Sequence, residues 1–299
     1  MEAVQVFEDL ESFAQAQLSC GLALGVFDGV HLGHQAVIDG ARGFGRVGVL
    51  IFDPHPVEVL APERTPRRII AGLEHQKKIL AELGVSFMVV MNFTKEFAAR
   101  ESGDFAEELL GTGVRQLSAG EDWSFGKRGA GNMSLLAELA EGFEVGVTAV
   151  AAVTQKGGRI SSTQIRKCLN EGDLAGAATM LGRPYSVYGK VLQGRQLGRK
   201  IGFATANVEV AEEQLVENGV YLVEGNGIRG VANIGTRPTV NDSLHRSLEV
   251  HLFSEEIPME YGWDLEVSFL EKIREEKRFD GVDDLKAQIA KDVAYAKGV

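Results

Sequence analysis

The stretch that most restricts the fold is Gly25-Val26-Phe27-Asp28-Gly29-Val30-His31-Leu32-Gly33-His34. It follows the apolar run Leu22-Ala23-Leu24 and precedes Gln35-Ala36-Val37-Ile38. That order spells strand, glycine turn, helix, the repeating unit of parallel α/β sheets. The position also suits an anion. Helix N-termini carry unpaired backbone N–H groups, glycines let the backbone approach a phosphate, and His31 and His34 add further donors. No Gly-Lys-Ser/Thr follows, so this is not a Walker A loop. The glycine spacing, with histidine bulk where close packing is needed, also excludes a dinucleotide-binding fingerprint.

The same rhythm continues downstream. Residues 22–27 read as a strand, 35–39 as the start of a crossover helix, and 46–52 as a buried strand ending in Asp53-Pro54-His55-Pro56. Prolines cannot continue a ladder, so the chain turns there. Leu73, Gln76, Ile79, Leu80 and Leu83 give 73–83 a helical period, stopped by Gly84. Strands are expected at 85–90, 116–119 and 145–153, and helices at 95–110 and 131–139. The alternation predicts a mostly parallel, Rossmann-like sheet that binds ligands at its C-terminal edge. Residues 167–181 read as helical, and Gly182-Arg183-Pro184 breaks the pattern. We therefore expect a domain of 1–182 and a second of 183–299. Beyond the break come short alternating strands at 185–192, 220–224, 230–234, 248–253 and 264–270, without crossover helices. These predict a small antiparallel β-barrel, with a terminal helix at 282–296 packing on it through Leu285, Ile289 and Val293.

Composition removes several function classes. A net charge of −11 argues against nonspecific binding of nucleic acid or of an anionic membrane. Two cysteines, Cys20 and Cys168, are too few for a secreted disulfide framework and have no metal-ligand spacing. The first ten residues lack a basic segment followed by an apolar run, and no 18-residue apolar span occurs. The expectation is a cytoplasmic protein, monomeric or weakly homo-oligomeric, to which small-molecule substrates, anionic ones included, remain open.

Four further segments carry chemistry. Gly120-Glu121-Asp122-Trp123-Ser124-Phe125-Gly126-Lys127-Arg128-Gly129 is a glycine-rich loop with two anchoring aromatics. In Arg159-Ile160-Ser161-Ser162-Thr163-Gln164-Ile165-Arg166, either serine caps a helix and Arg166 extends from its first turn. Capping explains the serines; it does not require the arginine. Residues 189–202, with Gly194, Gly198 and Gly202 among Arg195, Arg199 and Lys200, fit a phosphate cradle or a basic hairpin equally well. The following Phe203-Ala204-Thr205-Ala206-Asn207 offers oxygens at alternating positions, suited to magnesium and a triphosphate. Glu249 lies within an apolar strand, an environment that raises a carboxylate pKa toward base chemistry.

These motifs, in this order, resemble the bacterial bifunctional riboflavin kinase/FMN adenylyltransferase (FAD synthetase) family over nearly the whole chain. Gly25 to His34 resembles the HxGH nucleotidyltransferase motif, Asp122 to Gly126 a second adenylyltransferase segment, and Ser161 to Arg166 the signature that closes over ATP phosphates. Thr205 and Asn207 match the kinase Pro-Thr-Ala-Asn motif, with Ala204 in place of proline. The resemblance implies an HxGH-type domain that adenylylates FMN to FAD, and a barrel that phosphorylates riboflavin to FMN, both from ATP with Mg2+. It implies catalytic roles for His31, His34, Arg166 and Glu249, the last as base on the riboflavin 5′-hydroxyl. Binding roles follow for Gly25, Phe27, Asp28, Gly33, Asp122, Trp123, Phe125, Arg159, Ser161, Ser162, Thr163, Gly194, Gly198, Gly202 and Arg274, with Thr205 and Asn207 at the metal. Arg274-Glu275-Glu276-Lys277-Arg278-Phe279 matches the family's Arg-x-Glu-x-x-Phe ending, and Val240 stands where an aromatic is usual. Alternatives are an adenylyltransferase with weakened kinase activity because of Ala204, or a flavin-binding regulatory module without turnover.

Overall fold

A computed structural model describes residues 3–70, 72–155, 157–192, 203, 205–211, 215–238, 244–254 and 261–299. Gly194, Gly198, Gly202, Ala204 and Val240 lie outside them. The chain forms two compact units, Met1–Pro66 with Gln76–Ser161, and Arg67–His75 with Ser162–Val299.

The first unit contains β1 (Gln5–Phe7), α1 (Leu10–Gln15), β2 (Cys20–Leu24), α2 (Leu32–Gly40), β3 (Arg46–Asp53) and α3 (Pro56–Leu60). It continues with most of α4 (Leu73–Glu82), then β4 (Phe87–Asn92), α5 (Lys95–Ala98), α6 (Ser102–Leu110) and β5 (Gln116–Gly120). A hairpin of β6 (Ser124–Phe125) and β7 (Gly131–Asn132), α7 (Met133–Ala140), β8 (Gly146–Val150) and a hairpin of β9 (Thr154–Gln155) and β10 (Gly158–Arg159) complete it. The six long strands pair in parallel in the order β1-β4-β3-β2-β5-β8. The chain winds outward from β2 through β3 to β4, then returns to place β5 on β2's other side. Between β2 and β5 the strand order reverses, the place where open α/β sheets hold ligands.

Packing explains why the helices lie where they do. An ideal Cβ on Gly21 would stand 1.7 Å from the carbonyl oxygen of Ala41, just past α2, so only glycine admits that approach. Phe7, Phe13 and Phe87 cluster at centroid separations of 5.3–5.9 Å in a core that includes Leu22, Leu24, Leu50 and Leu117. The helix expected over 95–110 is two helices. Thr94 caps the first, and the Lys127 N–H takes the Arg100 carbonyl at 2.7 Å between them, a tertiary contact that interrupts the helix.

The second unit holds α8 (Ser162–Asn170), α9 (Leu174–Leu181), β11 (Tyr185–Leu192), β12 (Ala206–Glu209), β13 (Gly219–Gly225), β14 (Ile228–Pro238), β15 (Leu244–Leu252), β16 (Asp264–Arg274) and α10 (Val282–Gly298). Gly172 (φ +72°) and the Asp173 cap split the helical run expected over 167–181. Gly182 ends α9 in the left-handed conformation at φ +73°, where glycine has no Cβ penalty. The six strands close into an antiparallel barrel ordered β11-β12-β15-β14-β13-β16. Val187, Val208, Val223, Ile234, Val250 and Val267 fill its core, which continues into Ile165, Leu169, Ala177 and Leu181 of α8 and α9. Val293 and Ala296 of α10 pack with Leu222 and Val231 in a separate cluster. Strand β12 was hidden in the sequence, since its four residues follow a glycine-rich, basic run.

Candidate active sites

In the first unit, Gly25 to His34 leaves the end of β2 at the reversal point, and Asp122 and Trp123 follow β5 beside it. The turn is held in sparsely populated backbone. Phe27 and Val30 have φ of +54° and +42°, conformations costing about 1–3 kcal/mol for non-glycine residues and concentrated at functional sites. Val30 N–H bonds the Phe27 carbonyl at 3.1 Å. Gln35 donates to the Val30 carbonyl at 3.0 Å, and buried Gln76 lies 3.3 and 3.4 Å from the Val26 and Phe27 carbonyls.

His31 is buried and caps α2 with its own ring, Nδ1 accepting the His34 N–H at 3.2 Å. An accepting Nδ1 carries no proton, so neutral His31 bears its hydrogen on Nε2, as a donor. The rings of His31 and His34 stack at 3.6 Å, and Phe27 lies 5.2 Å from His34. Gly33 keeps that space clear: a Cβ there would come within 3.0 Å of His31 Cε1. Asp28 is buried. Gly25 N–H bonds the Leu50 carbonyl at 3.2 Å, tying the turn to β3. The loop after β5 is assembled too. Asp122 pairs with Arg159 at 2.6 Å, and Trp123 stacks on Phe125 at 4.8 Å. Lys127 is paired with Glu101 at 2.7 Å.

Ser161 closes the first unit's chain and Ser162 opens α8 in the second, with Thr163 and Arg166 in its first two turns. Arg166 Nε donates to the Arg67 carbonyl at 2.5 Å. The Arg67 side chain in turn reaches Asn170 Oδ1 at 3.3 Å and the Leu215 carbonyl at 2.5 Å. Arg67 thus fixes both Arg166 and α8, a role no motif signalled.

The barrel assembles its candidates by register. Glu249 of β15 stands opposite Asn207 of β12 on one side and Asn233 of β14 on the other. Their sequence neighbours Ala206, Val208, Leu248, Val250, Ala232 and Ile234 fill the interior, and side chains alternate along a strand. Asn207, Glu249 and Asn233 therefore form one row on the outer face. Thr205 immediately precedes β12. His251 shares this face, with Phe203 and Phe253 edge-on at 5.6 and 5.8 Å. Asn207 Oδ1 is buried and has no hydrogen-bond partner among the described residues. Arg274 of β16 is fastened to Asp292 of α10, with Nη2–Oδ2 at 2.7 Å.

The comparisons agree with both halves. The FAD synthetase family model matches residues 13–164, and the riboflavin kinase family model matches 181–299. The bifunctional riboflavin kinase/FMN adenylyltransferase of Escherichia coli K12 is 38% identical, with 98% of this chain and 97% of that protein aligned. The chain belongs to this family. Its relative of the same description from Listeria monocytogenes is 41% identical over 91% of this chain and 89% of the relative. Among solved structures, one titled a macrolide-efflux protein from Streptococcus pneumoniae covers the whole of both chains at TM-score 0.81 and 26% identity.

As a member of this family the chain is an enzyme carrying a riboflavin kinase domain and an FMN adenylyltransferase domain, which together make FAD from riboflavin. No described helix is long and apolar enough to cross a membrane. Among the described residues no cluster of three or more His, Cys, Asp or Glu side chains forms a metal cage. The metal this family implies would instead meet neutral oxygens: the buried Asn207 Oδ1, which has no donor among the described residues, fits a hard cation bound largely by phosphates.

Proposed function

We propose that the two reactions use the two candidate sites separately, FMN formation on the barrel face and FAD formation at the edge of the parallel sheet. The carrying observation is the cross-strand pair of Glu249 and Asn207, with Asn207 Oδ1 buried and without a hydrogen-bond partner among the described residues. Thr205 and Asn207 would hold Mg2+, which when bound neutralises the ATP phosphates. Glu249 takes the proton of the riboflavin 5′-hydroxyl as that oxygen attacks the γ-phosphorus, and ADP leaves. Positioning and charge stabilisation dominate such transfers. We assign Gly194, Gly198 and Gly202 to the phosphate-covering backbone.

In the second reaction the FMN phosphate attacks the α-phosphorus of another ATP and pyrophosphate departs, with no covalent enzyme intermediate. His31 Nε2–H, His34, Arg166 and the amides and hydroxyls of Ser161, Ser162 and Thr163 are our donors to the attacked and departing phosphates. Gly25, Phe27, Asp28 and Gly33 shape that turn. Asp122, Trp123, Phe125 and Arg159 receive the flavin nucleotide. We divide the labour at residues 1–182 and 183–299, which the two family matches support. The packing of α8 and α9 into the barrel core runs across that line. Both cysteines are free thiols, and we place the enzyme in the reducing cytoplasm as a monomer or weak homo-oligomer.

Product analysis tests the reading. Purified protein with riboflavin and Mg-ATP should yield FMN and ADP first, then FAD and pyrophosphate. FAD from supplied FMN without FMN from riboflavin would assign a weakened kinase. Flavin binding with neither product would leave only a binding module.

A further inference from the structure

Arg67 to His75 belong in sequence to the stretch matched by the FAD synthetase family model, yet they pack with Ser162–Val299. They form a strap pinned at both ends and in the middle. At its start the Arg67 guanidinium reaches Asn170 Oδ1 at 3.3 Å and the Leu215 carbonyl at 2.5 Å. Ile69 is buried in the core that the barrel shares with α8 and α9. At its end buried His75 has Nε2 3.1 Å from Ser186 Oγ and 3.4 Å from Glu266 Oε1, with Tyr188 stacked on the ring at 5.7 Å.

The last pin is directional. His75 Nδ1 is buried without a hydrogen-bond partner among the described residues, and a proton there would be a buried donor unmet. The ring therefore carries its hydrogen on Nε2 and donates to Ser186, whose hydroxyl donates in turn to Glu266 Oε1 at 2.8 Å. Ser186 and Glu266 alternate with the core residues Tyr185, Val187, Leu265 and Val267, so they stand on the outer face of β11 and β16. In the barrel order these strands are two and three places from β15, which carries Glu249. The knot is thus no part of the row formed by Asn207, Glu249 and Asn233. What the strap delivers is the Arg67 carbonyl, which accepts Arg166 Nε at 2.5 Å. A guanidinium is planar, so holding Nε on that carbonyl sets where both Nη groups aim.

We propose that the strap is a positioning device for FAD formation: Arg67 and His75 hold the carbonyl that aims Arg166, so a knot on the kinase barrel sets the rate of the other reaction. Both residues act through Arg166 rather than on substrate. With Arg166 assigned to the attacked and departing phosphates, misaiming it weakens a contact made in the transition state and leaves flavin binding alone. The loss therefore falls on kcat and not on KM for FMN. The inference rests on the reading of Arg166 as a phosphate donor.

The test assays the two half-reactions separately in the full chain, with thermal melts to report folding. Arg67→Ala and His75→Ala should each lower kcat for FAD from FMN about 10-fold or more, with KM for FMN and FMN formation from riboflavin near wild type. His75→Gln, which keeps an N–H donor toward Ser186, should recover most of the loss. Ser186→Ala removes one hydroxyl and should show a smaller loss of the same kind, so it carries the test where a larger truncation unfolds. FAD formation at the wild-type rate in these variants, or equal losses in both reactions, would overturn the positioning role while leaving Arg166 in place. Arg166→Ala should itself slow FAD formation by about 10²-fold or more. Retained FAD formation in that variant would overturn the phosphate-donor reading and the strap's role together.

Discussion

The two candidate sites are built on opposite principles. In the parallel sheet the proposed chemistry sits where strands stop: β2 and β5 end, and the residues beyond them supply the candidates His31, His34 and Asp122. In the barrel it sits where strands run on, with Asn207, Glu249 and Asn233 abreast on three adjacent strands. A sheet edge offers backbone N–H groups and a helix mouth, which suits an anion at some cost in backbone strain. A strand face offers fixed side-chain spacing and no loose backbone, which suits holding one carboxylate between two fixed neighbours.

The sharpest way to break this comparison is a reciprocal pair of substitutions. His31→Ala should reduce FAD formation from FMN by about 10²–10³-fold, the usual cost of a lost transition-state donor, while sparing FMN formation. Glu249→Ala should reduce FMN formation by about 10²–10⁴-fold and spare FAD formation. Separate assays of the two half-reactions decide it. Loss of both activities in either folded variant would mean that the sites are not independent.

The contrast also explains what could be read without coordinates. The glycine turn of the edge site is contiguous in sequence, so it and both histidines announced themselves, and the alternation of strands with helices gave the parallel sheet. The barrel site was only half visible. Asn207 and Glu249 stood out through their motifs, but their contact depends on the β12–β15 register. Asn233 belongs to the Val231–Thr239 stretch that shares in the family resemblance, but nothing in that stretch gave it a role, and only the β14–β15 register places it beside Glu249. Gln76 and Arg67 were equally silent, because their bonds join residues 49 to 148 positions apart. The break in the helix after Ala98 was also hidden, since it comes from the Lys127 N–H.

Arg274 tests whether a residue near the barrel site binds a ligand or holds the fold. Its guanidinium meets Asp292 through Nε and Nη2, with the two side chains 21% and 5% exposed, and Gln288 donates to the same carboxylate at 2.9 Å. Arg274→Ala would strand a buried carboxylate on α10, and should lower stability by about 3–5 kcal/mol. Denaturant unfolding should show this, with kinase KM for riboflavin near wild type well below the new melting temperature. A raised KM at unchanged stability would instead make Arg274 a ligand group.

Both units should also lose stability in alkali, over pH windows about one unit apart. Burial pushes the Cys20 thiol in β2 from 9.0 up to about 11, against the opposing Arg46 charge. Burial likewise raises the Tyr221 hydroxyl in the barrel, from 10.0 to about 12. In each case the folded chain keeps a proton that the unfolded chain releases. The stabilisation is complete below the unfolded pKa and is lost as pH rises toward the folded one. For Cys20 the loss between pH 9 and 11 is on the order of 2 kcal/mol. Cys20→Ala should flatten the fall in stability over that window, and a slope identical to wild type would show that the thiol is not protected.

The smallest expected effect isolates the ring that the edge site depends on. Gly33 lies in the first turn of α2 without a positive φ, so alanine is allowed there by the backbone, and relief of glycine's entropy cost should stabilise the helix by up to about 1 kcal/mol. The new methyl would press on His31 at 3.0 Å from Cε1 and 3.1 Å from Nδ1. The ring must shift by a few tenths of an ångström, stretching an Nδ1 bond already at 3.2 Å and turning Nε2–H off its line. Gly33→Ala should therefore melt at or above the wild-type temperature while forming FAD about 10-fold more slowly, with FMN formation untouched. A more stable protein with undiminished FAD synthesis would mean that the aim of His31 Nε2 does not matter, and the edge site would then rest on backbone donors rather than on its histidines.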